Sequence, residues 1–231
     1  MKKIYAILFL LFSLIILVSC TENVELILEN TNEKFFELNE TIDASIYKVT
    51  LKINGTETNN LPITDSRFEV TGLVDGKLDT STLGEKEIVV KYNEVELKIN
   101  YEVVDYVVNN YEELVNAVNG EGKYIVLMKD IVVTDGATAI HIKKGKEKVL
   151  ELNGHSLSFA SNLSSATDLI KNEGTLTIKD CTDVNKDGTG KGLITNKALN
   201  PDKTHEFPYY ANNTISNFGN LIIESGYLEN T

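Results

Sequence analysis

From Val24 to Tyr101, apolar and polar residues take turns in short runs. Val24-Glu-Leu26-Ile-Leu28 is the first, and Lys48-Val-Thr-Leu-Lys-Ile53 the second, which runs straight into Asn54-Gly55. Asn and Gly both tolerate the positive φ that a two-residue hairpin turn demands. Glu87-Ile-Val-Val-Lys-Tyr92 and Val95-Glu-Leu-Lys-Ile-Asn-Tyr101 repeat the alternation, with Asn93-Glu94 between them. Alternation places every second side chain on one face, so each run predicts a strand with one buried and one wet side. Several such strands with no helical period among them predict a small antiparallel sandwich.

The pattern changes after Asp105. Asn110-Tyr-Glu-Glu113-Leu114-Val-Asn-Ala117-Val118 carries an N-cap residue, a glutamate three positions on and apolar residues at helical spacing, and so predicts one short amphipathic helix. Very short apolar runs follow at 124–128, 131–133, 149–152, 176–178, 193–194 and 221–223, among turns rich in Asn, Gly and Asp. None is long enough for a conventional sheet, so the runs are expected to bury a core by stacking in successive turns of the chain. IKNEGTLTIKD at 170–180 and ISNFGNLIIES at 215–225 share I-x-N-x-G-x-L-x-I. That repeat predicts a corner written once per turn, where Asn172 and Asn217 stack their amides and Gly174 and Gly219 take up dihedrals that other residues avoid. The copies lie forty-five residues apart, more than the two dozen or so of one turn. An inserted loop or an intervening turn is therefore expected between 180 and 215.

The first twenty residues, MKKIYAILFLLFSLIILVSC, are two lysines, an apolar run from Ile4 to Val18 and a small residue before cysteine. This is the grammar of a secretory signal, and the run is at the low edge of the roughly 17–25 residues that span a bilayer. Leu17-Val18-Ser19-Cys20 resembles the lipobox of bacterial lipoproteins. The resemblance implies a signal peptide at 1–19, cleavage before Cys20, lipid on Cys20, a short tether at 20–23 and an outward-facing place on the bacterial cell membrane.

NEKFFELNETIDAS, KVTLKINGTETNNLPIT and VTGLVDGKLDTSTLGEKEIVVKYNEVELKINYEV look like the bacterial Ig-like domain of surface proteins, with Leu78-Asp79-Thr80-Ser81-Thr82-Leu83-Gly84 the most telling piece. The resemblance covers 24–105 and implies a non-catalytic spacer or adhesion module. YEELVNAV, VLELNGHSLSF, IKNEGTLTIKD and ISNFGNLIIESG resemble the N-terminal part of right-handed parallel β-helix proteins of the pectin-lyase-like class. This second resemblance covers 106–231 and implies that the helix caps the first coil. The fold expected is thus all-β, an Ig-like sandwich followed by the start of a right-handed parallel β-helix with one short capping helix. With no cap legible after Leu228, the last coil is expected to be open, which points to a shortened solenoid or to self-association through that edge.

The formal net charge is −12, and loss of Lys2 and Lys3 with the signal would make it −14. A surface so acidic repels phosphate backbones and anionic headgroups, so no nucleic-acid partner is expected. With Cys20 spent on lipid, Cys181 is the one cysteine left, and an exported fold must be held by packing alone.

Candidate chemistry is sparse. Asp183, Asn185 and Asp187 stand at positions 1, 3 and 5 of a calcium-type loop with Gly188 at 6, but position 12 is Ile194 where a bidentate Glu belongs, so only weak, millimolar calcium is expected. The same residues suit a polar turn between coils. A glycosidase needs two carboxylates across a cleft. Asp168, Asp180 and Glu224 are available, without a spacing that singles out a pair. The single arginine, Arg67, lies in the first module. Asn153-Gly154-His155 reads as a tight turn rather than a metal site. His205, Phe207, Tyr209 and Tyr210 crowd one polar stretch and could stack on the C–H faces of sugars or shield the side of the stack. The expected role is that of a lipid-anchored surface protein that binds or displays, through glycans or other surface proteins, without cofactor. Two readings stay open beside it: a polysaccharide lyase or glycosidase of the β-helix class, and a structural spacer.

Overall fold

The computed structural model describes residues 22–29, 34–133, 139–159, 168–187, 190–198 and 213–229. Among them the chain is mostly strand, with one α-helix. Two compact units emerge. One gathers the chain through Asn32, Ile42–Leu78 and Glu87–Ile99, and the other Glu33–Thr41, Asp79–Lys86 and Asn100–Thr231.

The first nine strands are β1 (Val24–Leu28), β2 (Phe35–Glu37), β3 (Lys48–Ile53), β4 (Thr56–Pro62), β5 (Glu69–Thr71), β6 (Leu73–Val74), β7 (Lys77–Leu78), β8 (Gly84–Tyr92) and β9 (Val95–Val104). In the first unit, β1, β3 and β4 form an antiparallel sheet, and the β3–β4 turn is Asn54-Gly55 with φ of 50° and 85°. β5 runs antiparallel to β8, while β6 and β7 form a hairpin about Asp75-Gly76. Val49, Leu51, Ile88, Val90 and Ile99 are buried, as the alternation predicts. The expectation of wholly antiparallel strands needs correcting. In the second unit β2 pairs in parallel with the end of β9, Phe35 opposite Glu102 and Glu37 opposite Val104. More than fifty residues separate the two strands in sequence, so no hairpin constrains their direction.

The rest of the second unit comprises β10 (Tyr106–Val108), α1 (Tyr111–Asn119), β11 (Tyr124–Leu127), β12 (Ile131–Val133), β13 (Ile140–Ile142), β14 (Glu147–Glu151), β15 (Ser156–Phe159), β16 (Ile170–Asn172), β17 (Thr175–Lys179), β18 (Leu193–Ala198), β19 (Ile215–Asn217), β20 (Asn220–Ile223) and β21 (Tyr227–Glu229). The chain visits three parallel sheets in rotation, ordered β10-β11-β14-β17-β20, β12-β15-β18-β21 and β13-β16-β19. Each pass lays a rung on the one before, so three-residue strands suffice: the neighbouring rungs supply the hydrogen bonds a short strand lacks. Inward columns follow the registers. Ile125, Leu150 and Ile178 stack in the first sheet, Ile131, Leu157 and Ile194 in the second, and Ile140, Ile170 and Ile215 in the third. They form one core with Leu114, Ala117 and Val118 of α1.

α1 is fixed at both ends. Asn110 accepts a 3.0 Å hydrogen bond from the Glu113 amide, and the Glu113 carboxylate accepts one of 2.7 Å from the Asn109 amide, which lowers its pKa. At the C-terminal end the Lys148 ammonium, on a residue 1 % exposed, donates to the carbonyls of Ala117 (3.0 Å), Gly120 (2.8 Å) and Gly122. Burial lowers the pKa of Lys148, and three carbonyls at a helix C-terminus are the acceptors its charged form needs.

Candidate functional site

The repeated corner is built as its sequence suggests, with one change of reason. Asn172 and Asn217 are in register, and Asn172 donates through Nδ2 to Asn217 Oδ1 at 2.7 Å and to the Asn220 carbonyl at 2.9 Å. Neither Gly174 nor Gly219 has positive φ, so dihedral freedom is not why glycine stands there. A Cβ on Gly174 would lie 2.4 Å from the Lys146 carbonyl oxygen, and one on Gly219 would lie 2.1 Å from that of Gly174. Glycine is required because successive corners stack backbone on backbone. β17 pairs directly with β20, so no intervening turn lies between the repeats. The additional chain falls instead between β17 and β18 and between β18 and β19.

The corner between the first and second sheets gathers Glu151, Asp180 and Cys181, whose ligand atoms lie within 4.8 Å of one another. Their oxygens are already engaged. Asp180 Oδ1 accepts from the amides of Gly154 (2.9 Å) and Thr182 (3.1 Å), Asp180 Oδ2 from Gly192 (2.7 Å), and Glu151 Oε1 from Asn153 (2.8 Å) and Cys181 (2.7 Å). A metal ion here would displace amide donors that join two successive passes of the chain, so the cluster acts as a fastener. Cys181 is exposed as a residue, yet desolvation of its thiol against this corner, with the Glu151 carboxylate nearby, pushes it up to about 11, which leaves it protonated at neutral pH.

Asp183 belongs to the same corner and is buried. Its oxygens accept from the amides of Asp187 and Gly226, both at 3.2 Å, while Asn185 and Asp187 are exposed. Of the glycosidase candidates, Asp180 is buried, Glu224 is exposed and pairs with Lys179 at 3.4 Å, and Asp168 accepts from Asn213 at the start of β16 and β19. Asp180 and Glu224 share the corner that follows the first sheet, on successive rungs, while Asp168 stands at another. Asn153-Gly154 forms the tight turn its sequence predicts, with φ of 49° and 76°. Cys20 and the aromatic run His205, Phe207, Tyr209 and Tyr210 lie outside the described residues.

The third sheet shows what the sequence reading missed. His141, Lys171 and Ser216 are register partners on β13, β16 and β19. The carboxylate of Glu173 meets His141 Nε2 at 2.9 Å and Lys171 Nζ at 2.7 Å, and these two neighbours hold it below the ordinary carboxylate range, Lys171 foremost. Lys171 Nζ also stands 6.0 Å from the centroid of Phe218, a ring 74 % exposed. His141 and Glu173 are thirty-two positions apart, a spacing without a motif; only the register brings them together.

An open depression of about 460 Å³ lies in the second unit against β10 and α1, bordered by Glu37, Glu40 and Glu113. Each of these carboxylates holds a backbone amide, of Val107, Glu37 and Asn109 respectively. Comparison with family models, with curated proteins and with solved structures finds no match to this chain.

Proposed function

We propose that this chain is a lipid-anchored bacterial surface protein with a binding or display role, built as an Ig-like sandwich followed by a right-handed parallel β-helix. The observation that supports it is the rotation through three parallel sheets, a stack whose carboxylates at the Glu151–Asp180–Asp183 corner serve as struts for backbone amides. Such a stack is a rigid support whose outer faces carry side chains free of structural duty. The signal-like leader and Leu17-Val18-Ser19-Cys20 support export and acylation. A lipid chain contributes about 0.8 kcal/mol per buried methylene, enough to hold such a domain at a bilayer when more than one chain is attached. No resident cofactor belongs to this reading.

Metabolic labelling with a radioactive fatty acid tests the anchor. The wild-type chain should take up label and be accessible to protease on intact cells, while Cys20→Ala should be unlabelled and either released or left unprocessed. An unlabelled wild-type chain would remove the lipoprotein reading.

A further inference from the structure

The last rung of the stack is open, and we propose that it is the interface of a two-fold dimer of this chain. Among the described strands, β19, β20 and β21 each stand last in their sheets, with a partner on one side only. Their inward residues Ile215, Leu221 and Leu228 continue the columns of Ile170, Leu176 and Ile194, which are buried, yet are themselves only partly covered. Ile178 is fully buried, while Ile223, in register with it on the last rung, is 50 % exposed. The backbone is open in the same direction. The amides of Asn220 and Glu224 donate back to the carbonyls of Gly174 and Ile178, at 2.8 and 2.9 Å. Residues along a strand turn their amide and carbonyl to alternate sides, so those of Leu221 and Ile223 face away from the stack.

Three edges and the end of a core must be covered together. An added peptide strand satisfies one edge and leaves the other two. The opposite end of the stack does not receive a second copy, because Leu114, Ala117 and Val118 of α1 already fill the core there and Lys148 ties the helix down. Head-to-tail addition, which would build filaments, is therefore blocked, and the matching surface is the same open rung of another copy. A two-fold axis through Ile222 lays β20 antiparallel on its counterpart. Leu221 then exchanges both backbone hydrogen bonds with the partner's Ile223, and Ile223 with the partner's Leu221. The same axis turns β19 towards the partner's β21, each three residues long. Charge permits the contact. From Asn213 to Glu229 the charged residues are Glu224 and Glu229, and both are held by the preceding rung, Glu224 by Lys179 at 3.4 Å and Glu229 by the Thr195 hydroxyl at 2.9 Å. With a net charge of −12 over the chain, such a face is where two copies meet with little repulsion.

The test is sedimentation of the full chain over a concentration series, with detergent micelles in large excess over chains. The chain should form a dimer that dissociates on dilution. Hydrogen exchange on the same samples should show the amides of Leu221 and Ile223 slowing as the dimer fills. Ile223→Lys places an ammonium group on each side of the joint and should abolish the dimer at concentrations where the wild type is fully associated. Val132→Lys, at an exposed position of β12, should leave it intact. Should Ile223→Lys fail to fold, the exchange series on the wild type decides. A wild-type monomer at every concentration, a dimer whose Leu221 and Ile223 amides exchange as fast as those of a free peptide, a folded Ile223→Lys chain that still dimerises, or open-ended filaments would each overturn the proposal. The interface does not depend on Cys20: a dimer of a chain that takes up no fatty acid would keep the interface and remove the anchor.

Discussion

Asp79 shows how much one side chain can organise. Its carboxylate accepts from the Ser81 amide (3.1 Å), the Ser81 hydroxyl (2.6 Å) and Lys86 Nζ (3.2 Å), while its own amide donates to Tyr101 Oη at 2.9 Å. Tyr101 is 3 % exposed and lies edge-on to Phe36. The Ser81 hydroxyl foremost, then the Ser81 amide and Lys86, lower Asp79 from 3.8 to about 2. The folded form thus holds fewer protons than the unfolded one, so the stability this group contributes is complete above pH 3.8 and is lost as pH falls through about 2. Asp65, held down to about 2 by Arg67, acts in the same window. Thermal melts between pH 5 and 2 should therefore show an acid decline that Asp79→Asn makes shallower without abolishing. A variant with an unchanged pH profile would count against this role.

At the scale of the element, the two kinds of glycine corner separate two physical causes. Gly145 has φ of +83° and open space where a Cβ would go, while Gly174 has ordinary dihedrals and a carbonyl oxygen 2.4 Å from that point. Gly145→Ala should cost about 1 kcal/mol, the strain of a left-handed residue. Gly174→Ala should cost more, about 2–3 kcal/mol, because stacked backbones must part. Urea denaturation midpoints of the two variants rank them, and equal midpoints would show that the rungs yield easily. That glycine recurs at this corner was plain from the repeat; the reason was not, because the contact lies between residues about thirty apart in sequence.

Over the whole molecule, the charge of −12 and a pI near 4.8 set the expected behaviour towards polyanions. The purified chain should pass unretained through a heparin column at about 0.15 M salt, where screening reaches only about 8 Å. Retention would reveal a basic surface outweighing the net charge.

Strands β1, β3, β8 and β9, the helix with its Asn110 cap and the Asn-Gly hairpin were legible from the sequence, since alternation, capping and turn chemistry act within a few residues. The Asn172–Asn217 ladder was legible because its pattern is written twice. Tertiary structure alone decided the parallel pairing of β2 with β9, the buried Lys148 closing α1, the fastening role of Asp180 and Glu151, and the meeting of His141, Lys171, Glu173 and Phe218. These depend on which rung lies on which. That register is set by the core columns and by the length of chain between them, and no local pattern encodes it.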